Sequence, residues 1–336
     1  MKNKAKLFRN FIFFIILIVI TFYILFKDQN INMIFAILNS IKVQYLWIGI
    51  FCMILYFVCE SVNIGRTLKI LHEKSTFRQN FKYALIGFFF SSITPAASGG
   101  QPMQIYYMYK DKIAVSNSTL TLLINLSSMQ IITIGFAFIS LFFNYQYLNQ
   151  VLIICLVIGI TLNLSALALL IIGIFSKRMS KGLVNIAIKV MHLFKIKNIE
   201  GKKEKIAAEL IKYQESAIYI KSNKIVMLKI IATTAIQFLL YYSITYWTYR
   251  ALGLTQSNIF EIITMQSVLY ATVSGIPSPG AVGVSEGAFT EIFRNVYPEM
   301  MMTSAVLLNR CVNFYLFVII SGIVVIMNHL KCKSKE

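Results

Sequence analysis

The sequence has little charge and few acidic residues. Only 13% of its 336 residues are charged, and 32 lysines and arginines stand against 13 aspartates and glutamates. A soluble domain is usually about 25% charged and about 45–50% apolar, whereas 57% of this chain is hydrophobic. Because the apolar residues lie in long runs between short basic segments, the pattern predicts a helical protein that crosses a membrane several times. It excludes a cytosolic enzyme, a secreted disulfide scaffold and a nucleic-acid-binding domain, so we expect no nucleic-acid partner.

The chain also lacks the residue combinations that serve catalysis or bind metals. It contains no Gly-x-Ser-x-Gly, no Walker loop and no HExxH motif. The three histidines have no second ligand at i+4, and the five cysteines show no paired metal spacing. We therefore assign no catalytic residue, no metal and no cofactor.

Six apolar runs have about the length that a membrane-spanning helix needs. A helix of about 20 residues crosses a hydrocarbon core of ~30 Å. The first run is followed by Lys27-Asp28 rather than by a small-residue cleavage site, which indicates an uncleaved anchor. The six runs are Phe11–Phe26, Tyr45–Ile64, Val115–Phe143, Val151–Phe175, Ile225–Tyr249 and Met300–Asn328.

Two further apolar stretches are interrupted by proline and glycine. The first breaks within Thr94–Pro102, and the second breaks within Pro277–Gly283. An apolar run of 10–14 residues is more often re-entrant or buried than spanning. We therefore predict two re-entrant hairpins, Phe81–Tyr109 and Ile259–Tyr297.

The basic residues predict the orientation. The N-terminus, 66–78, 110–112, 176–224 and the C-terminal tail hold 25 of the 32 basic residues, and the positive-inside rule places all of these segments in the cytoplasm. Both chain ends are then cytoplasmic, and the uncharged segment 144–150 is outside. The first hairpin opens to the cytoplasm and the second to the outside. In 176–224, apolar residues recur at helical spacing between lysines, which fits either two amphipathic helices on the anionic inner leaflet or a solvated linker.

The two halves of the chain share one order of elements. Residues 1–143 and residues 151–336, which include the basic segment 176–224, each contain a span, a span, a hairpin and a span, in opposite orientations. The sequence therefore predicts an all-α, polytopic helical membrane protein with six full spans plus two re-entrant helical hairpins in an inverted repeat. This is a transporter architecture, whose site lies near the midplane where the breaks meet.

Five ionisable residues fall inside or beside the apolar segments: Glu60, Glu261, Glu286, Glu291 and Arg310. A charge at membrane depth is costly and is a functional hypothesis by default. The planar guanidinium of Arg310 suits a phosphate or a carboxylate. A lipid-phosphate ligand and a buried ion pair with Glu286 or Glu291 both stay open. Glu286 itself either caps its own helix or pairs with Arg310 or a cationic headgroup.

Each break ends where a new helix is predicted to begin. Ser98-Gly99-Gly100-Gln101 has the spacing of a capping box, and Gly283-Val284-Ser285-Glu286 precedes an apolar helix. A helix N-terminus attracts anions, and glycine lets a phosphate approach the backbone. The candidate lipid-binding residues are Arg310, Glu286, Ser98, Gly99, Gly100, Gln101, Pro279, Gly280, Gly283 and Ser285.

The two break motifs, Thr94–Pro102 and Pro279–Gly287, resemble paired signatures of the flippase-like membrane domain of lysylphosphatidylglycerol synthetases, which are phosphatidylglycerol lysyltransferases and bacterial resistance factors. Leu307–Arg310 resembles the arginine region of that domain's last span. The resemblance covers nearly the whole chain and implies a bacterial inner-membrane protein that moves aminoacylated phospholipid between leaflets. Full-length members make this lipid with a C-terminal soluble domain that uses lysyl-tRNA. Because the sequence ends eight residues after the last predicted span, we expect a stand-alone form without that domain.

The motifs also depart from the family pattern. Gln101 stands where the family usually has glutamate, and Ser285 stands where it often has arginine. Our preferred interpretation is a protein that binds and translocates an anionic or aminoacylated phospholipid or a polyprenyl-phosphate lipid. Two alternatives stay open: a phosphatidylglycerol lysyltransferase, and a non-transporting membrane partner of a separate synthase.

Overall fold

The computed structural model describes residues 31–144, 150–176, 199–274, 276 and 278–333, and within them it contains helices and no strand. Two short 3₁₀ turns, Pro95–Ala97 and Pro279–Ala281, form the first and second break, and a π-helical turn covers Cys311–Tyr315. The α-helices are α1 Ile31–Asn39, α2 Val43–Ile70, α3 Phe77–Ser92, α4 Gly100–Lys110, α5 Val115–Asn144, α6 Gln150–Phe175, α7 Ile199–Ser222, α8 Lys224–Ala251, α9 Ile259–Val273, α10 Val284–Ile292, α11 Glu299–Arg310 and α12 Leu316–Lys333.

In the described part of the chain, five helical segments are long and apolar enough to cross a membrane. They are α2, α5, most of α6, α8, and the combined segment Glu299–Asn328 formed by α11, the π-helical turn and α12. Five of the six predicted spans are thus present as helices, and the all-α polytopic prediction is confirmed. The remaining one, Phe11–Phe26, lies outside the described residues, as does most of the predicted outer loop 144–150.

The first hairpin consists of α3 and α4, which pack against each other. Thr76 caps α3, since its Oγ1 accepts the Gln79 N–H at 3.3 Å while Gln79 Oε1 accepts the Thr76 N–H at 2.8 Å. Near the start of α3, Lys82 bonds Asp111, the residue that follows α4, at 2.5 Å. The chain therefore enters and leaves this hairpin at the same end of the bundle, as predicted.

The second hairpin opens at the opposite end. α2 and α8 run antiparallel, because the Lys42 N–H donates to the Ala251 carbonyl at 2.8 Å while Asn63 Nδ2 donates to Thr234 Oγ1 at 3.0 Å. The first hairpin follows the end of α2 and the second follows the end of α8. Tyr297, which lies beyond α10, packs its ring 5.4 Å from that of Tyr249 at the end of α8. This hairpin also returns to the end from which it enters.

The two breaks contact each other. The first break, Pro95–Ala97, lies against the second break, Pro279–Ala281. The matched order of elements and this contact agree with an inverted repeat, which stays a prediction, as does the depth of the breaks in a bilayer.

Helix α7 is the described part of the basic segment 176–224, because residues 177–198 lie outside the description. It packs Tyr213, Ala217 and Ile220 against the neighbouring ends of α2, α5, α6 and α8. The hydroxyl of Tyr213 donates to the Gly173 carbonyl at 2.8 Å, and burial raises the pKa of Tyr213 to about 12, so this donor stays protonated. A helix is thus present in this part of the segment, and one of its faces docks on the spans. The predicted pair of helices on the inner leaflet stays a prediction.

Candidate functional site

A cavity of about 340 Å³ lies where the two breaks meet. We call it the polar chamber. Its walls come from both breaks, from α2, α3, α4, α5, α8, α9 and α10, and from the last span, so both halves of the chain contribute. Two carboxyl groups line it, those of Glu60 and Glu286, together with the guanidinium of Arg310. The chamber therefore collects three of the five ionisable residues that the sequence analysis singled out.

Arg310 and Glu286 form a buried ion pair in the wall of the chamber. Arg310 Nε lies 2.7 Å from Glu286 Oε1, and the two side chains are 8% and 2% exposed. The Tyr315 hydroxyl also donates to Glu286 Oε1, at 3.3 Å. The partner of Arg310 is therefore Glu286 and not Glu291, because Glu291 is exposed and forms no ion pair among the described residues.

Glu286 also caps its own helix. Its Oε2 accepts the Gly283 N–H at 2.7 Å, at the start of α10. A carboxylate at this position satisfies a backbone donor that the helix leaves unpaired. The two roles that the sequence left open for Glu286, capping and pairing with Arg310, are both present, because each carboxylate oxygen takes one of them.

Arg310 ties the last span to the second break. Its Nη2 donates to the Gly280 carbonyl at 3.0 Å, and its guanidinium lies 4.3 Å from the centroid of the Phe314 ring. Gly280 has φ 58°, and a Cβ added there would collide with the Phe314 ring, so glycine is required by conformation and by space. The π-helical turn that follows Arg310 carries Phe314; such turns often occur at functional sites.

The first break has a different local structure. Thr94 Oγ1 accepts the Gly99 N–H at 2.9 Å, whereas Ser98 makes no capping bond to α4. The predicted capping box is therefore wrong, because Thr94, before the turn, accepts the backbone N–H bond that was assigned to Ser98, after the turn. Ala96 and Ala97 both have φ 52°, a left-handed conformation that costs a non-glycine residue about 1–3 kcal/mol. Strain of this kind concentrates at functional sites.

The predicted site residues separate into two groups. Six of them line a cavity: Ser98, Gln101, Gly280, Ser285, Glu286 and Arg310. Four do not: Gly99, Gly100, Pro279 and Gly283. The last four shape the breaks, as Gly100 illustrates, since a Cβ there would collide with Ser91 Oγ of the neighbouring helix.

A second cavity, of about 920 Å³, adjoins the chamber, and we call it the apolar groove. It runs between α5 and α6 towards α7, with Leu123, Leu169 and Leu170 in its wall. Ala96, Ala97, Gln101, Leu126, Met129, Tyr270 and Ser274 line both cavities. The first break, α4, α5 and α9 thus form a shared wall, and a polar space meets an apolar one there.

Comparison with known proteins gives the same assignment as the break motifs. The family model for the lysylphosphatidylglycerol synthase TM region matches residues 11–321. This chain belongs to that family. It is also similar to a UPF0104 membrane protein of Pyrococcus horikoshii, with 24% identity over 281 residues that cover 80% of this chain and 82% of the relative. It is therefore a multi-pass membrane protein of the lysylphosphatidylglycerol synthase TM family.

In this family member, side-chain amides that no motif in the sequence marks also line the chamber. Asn125 and Asn313 are 7% and 3% exposed, and their Oδ1 atoms have no hydrogen-bond partner in the part of the chain that the structure describes. Gln104, Gln266 and Asn309 also line the chamber. An amide within an apolar run is a signal that could have found them, because a polar group at membrane depth needs a partner.

Proposed function

We propose that the protein binds a lipid with a phosphate-bearing headgroup and moves that headgroup between the two leaflets of the cell membrane. The observation that carries this proposal is the shared wall of the polar chamber and the apolar groove. A membrane lipid has the same two parts, a polar headgroup and hydrocarbon chains. The chamber suits the headgroup, and the groove suits a chain.

The chemistry of the chamber supports a phosphate ligand. The guanidinium of Arg310 has more N–H donors than the two that bond Glu286 and the Gly280 carbonyl, so it can also donate to a phosphate oxygen. Asn125 and Asn313 also line the chamber, and their Nδ2 groups can donate further hydrogen bonds, whereas their unpartnered Oδ1 atoms can only accept them. A phospholipid and a polyprenyl-phosphate lipid both carry this group, so both belong to the proposed substrate class.

The hairpins support transport as well as binding. They open at opposite ends of the bundle, and their breaks meet at the chamber. Broken helices that meet between two repeats are the usual substrate site of secondary transporters. In this proposal, the protein lies in a bacterial inner membrane with α7 and both chain ends in the cytoplasm. A separate lipid-modifying synthase would supply the substrate if the lipid is aminoacylated.

A transport assay tests the proposal. Purified protein is placed in vesicles that contain fluorescent NBD-phosphatidylglycerol, and dithionite added outside bleaches only the probe in the outer leaflet. We expect vesicles with protein to lose inner-leaflet fluorescence faster than protein-free vesicles do. Equal rates would contradict transport and would favour a binding partner of a synthase.

Two alanines of α6 provide a matched pair of variants. Ala166 lines the apolar groove, whereas Ala168, two residues later, is exposed and lines neither cavity. Ala166→Trp should fill the groove and reduce the transport rate at least tenfold, and Ala168→Trp should leave it within about twofold. Equal rates in the two variants would show that the lipid chain does not use the groove.

Lipid extracts of cells with and without the gene distinguish transport from the lysyltransferase alternative, because loss of lysyl-lipid in cells without the gene would indicate a lysyltransferase.

A further inference from the structure

Glu60 is a carboxyl group in the chamber that has no counter-ion within the described part of the chain. It lies within the spanning helix α2 and lines the chamber beside Gln104. No lysine or arginine among the described residues lies within ion-pair distance of it. Glu286, in contrast, is held by Arg310 and by the Gly283 N–H. The two carboxyl groups of the chamber are therefore in different electrostatic situations.

The charged form of Glu60 opposes the binding of a phosphate. An ionised carboxylate at membrane depth without a partner is costly, and a phosphate in the same chamber would add a second unbalanced negative charge. Like charges a few ångströms apart in a medium of low dielectric repel strongly. The Arg310 cation cannot balance both, because Glu286 already pairs with it. Protonation of Glu60 removes this conflict.

We propose that Glu60 is a proton-binding site, and that it takes up one proton from water when an anionic lipid headgroup enters the chamber and returns it when the headgroup leaves. The inference rests on the proposed function and extends it, since it couples headgroup binding to a proton. A proton gradient across the membrane could then drive the lipid in one direction.

The other groups that face the chamber do not compete with Glu60 for this role. Its own helix contributes Tyr56, α8 contributes Tyr241 and α9 contributes Tyr270. Tyrosine and arginine ordinarily have pKa values of about 10 or higher, above the pH range in which the experiment is done. α3 and α5 present only uncharged side chains to the chamber, and α4 presents Gln101 and Gln104. Glu286, on α10, is paired with Arg310 of the last span.

The test measures binding of dioctanoyl phosphatidylglycerol to the purified full-length protein in detergent. Isothermal titration calorimetry is run from pH 5.5 to 8.5, in two buffers of different ionisation enthalpy, so that the number of protons taken up is measured directly. We expect wild-type binding to take up about one proton and to weaken as pH rises, by at most about tenfold per pH unit, which is the limit for one linked proton. Binding that tightens with rising pH, or that takes up no proton, would overturn the inference.

Three variants identify the group. Glu60→Gln imitates the protonated state, so its affinity should equal the low-pH affinity of the wild type and should not change with pH. Glu291→Gln removes an exposed carboxylate that lines neither cavity, and it should behave as the wild type does. If Glu60→Gln does not fold, Glu60→Asp should keep the proton uptake and move its midpoint, and an unmoved midpoint would exclude Glu60.

The outcomes separate this inference from the proposed function. Tight binding with no pH dependence, or a Glu60→Gln variant with the wild-type pH dependence, overturns the proton site and leaves lipid binding intact. No binding by the wild type at any pH overturns both.

Discussion

The ion pair between Arg310 and Glu286 gives the sharpest test of the site, because a structural role and a ligand-binding role predict different double mutants. Arg310→Ala would leave Glu286, 2% exposed, without its cation. Removing one partner of a buried pair costs about 3–5 kcal/mol. Glu286 would keep its bonds from the Gly283 N–H and the Tyr315 hydroxyl, so we expect a loss of about 3 kcal/mol, at the lower end of that range.

The double variant Arg310→Ala/Glu286→Ala removes both charges. Its loss should fall to about 1–2 kcal/mol, which is the cost of a missing helix cap and of reduced packing. Transport should not recover, because the chamber has then lost its guanidinium. Arg310→Lys should also transport poorly, since lysine keeps the charge but cannot bond Glu286 and the Gly280 carbonyl in the same planar geometry.

The free energy of unfolding is measured in mixed detergent–SDS micelles, and transport is measured in vesicles. Lys212→Ala is the control, because the pair of Lys212 with Glu73 has an N–O distance of 3.5 Å and a half-exposed lysine, and such pairs contribute at most about 1 kcal/mol. Recovery of both stability and transport in the double variant would show that Arg310 is only structural, and would remove it from the site.

Two further predictions concern orientation and packing. The orientation is tested with a membrane-impermeant thiol reagent in a variant without the five native cysteines. A cysteine at the exposed position Lys74 should be labelled only from the cytoplasm, and one at the exposed position Gln256 only from outside. Labelling of both from one side would contradict the topology. Gly100→Ala should destabilise the protein by about 1–3 kcal/mol, because its Cβ would collide with Ser91 Oγ. The control is Gly135→Ala, whose Cβ would meet nothing within 4 Å and which should change the stability by less than about 1 kcal/mol. Equal effects in the two variants would contradict the close packing of α3 on α4.

The sequence predicted the spans and the hairpins because single physical quantities determine them. The length of an apolar run decides whether a helix can cross the hydrocarbon core. The run Val115–Phe143, for example, is a candidate membrane span with the same bounds in the structure. A count of basic residues predicts that each hairpin returns to the side from which it enters, and the bond from Lys82 to Asp111 shows this return for the first hairpin, whose side of the membrane stays a prediction. Pro95 and Pro279 marked the breaks because proline has no N–H to donate in a helix.

The sequence could predict only those site residues whose charged side chains are costly to place at membrane depth. Arg310 and Glu286 stood out because an isolated charge cannot remain in hydrocarbon, so a partner was expected for each. The choice between Glu286 and Glu291 depends on which face of a short helix turns inward, and a helix of nine residues, Val284–Ile292, carries too few apolar residues to fix that face by periodicity. The π-helical turn after Arg310 has no sequence signal of its own, yet it belongs to the segment that holds Phe314 against Gly280 and the guanidinium. The chamber therefore arises from contacts between the two halves of the chain, which no pattern within either half contains.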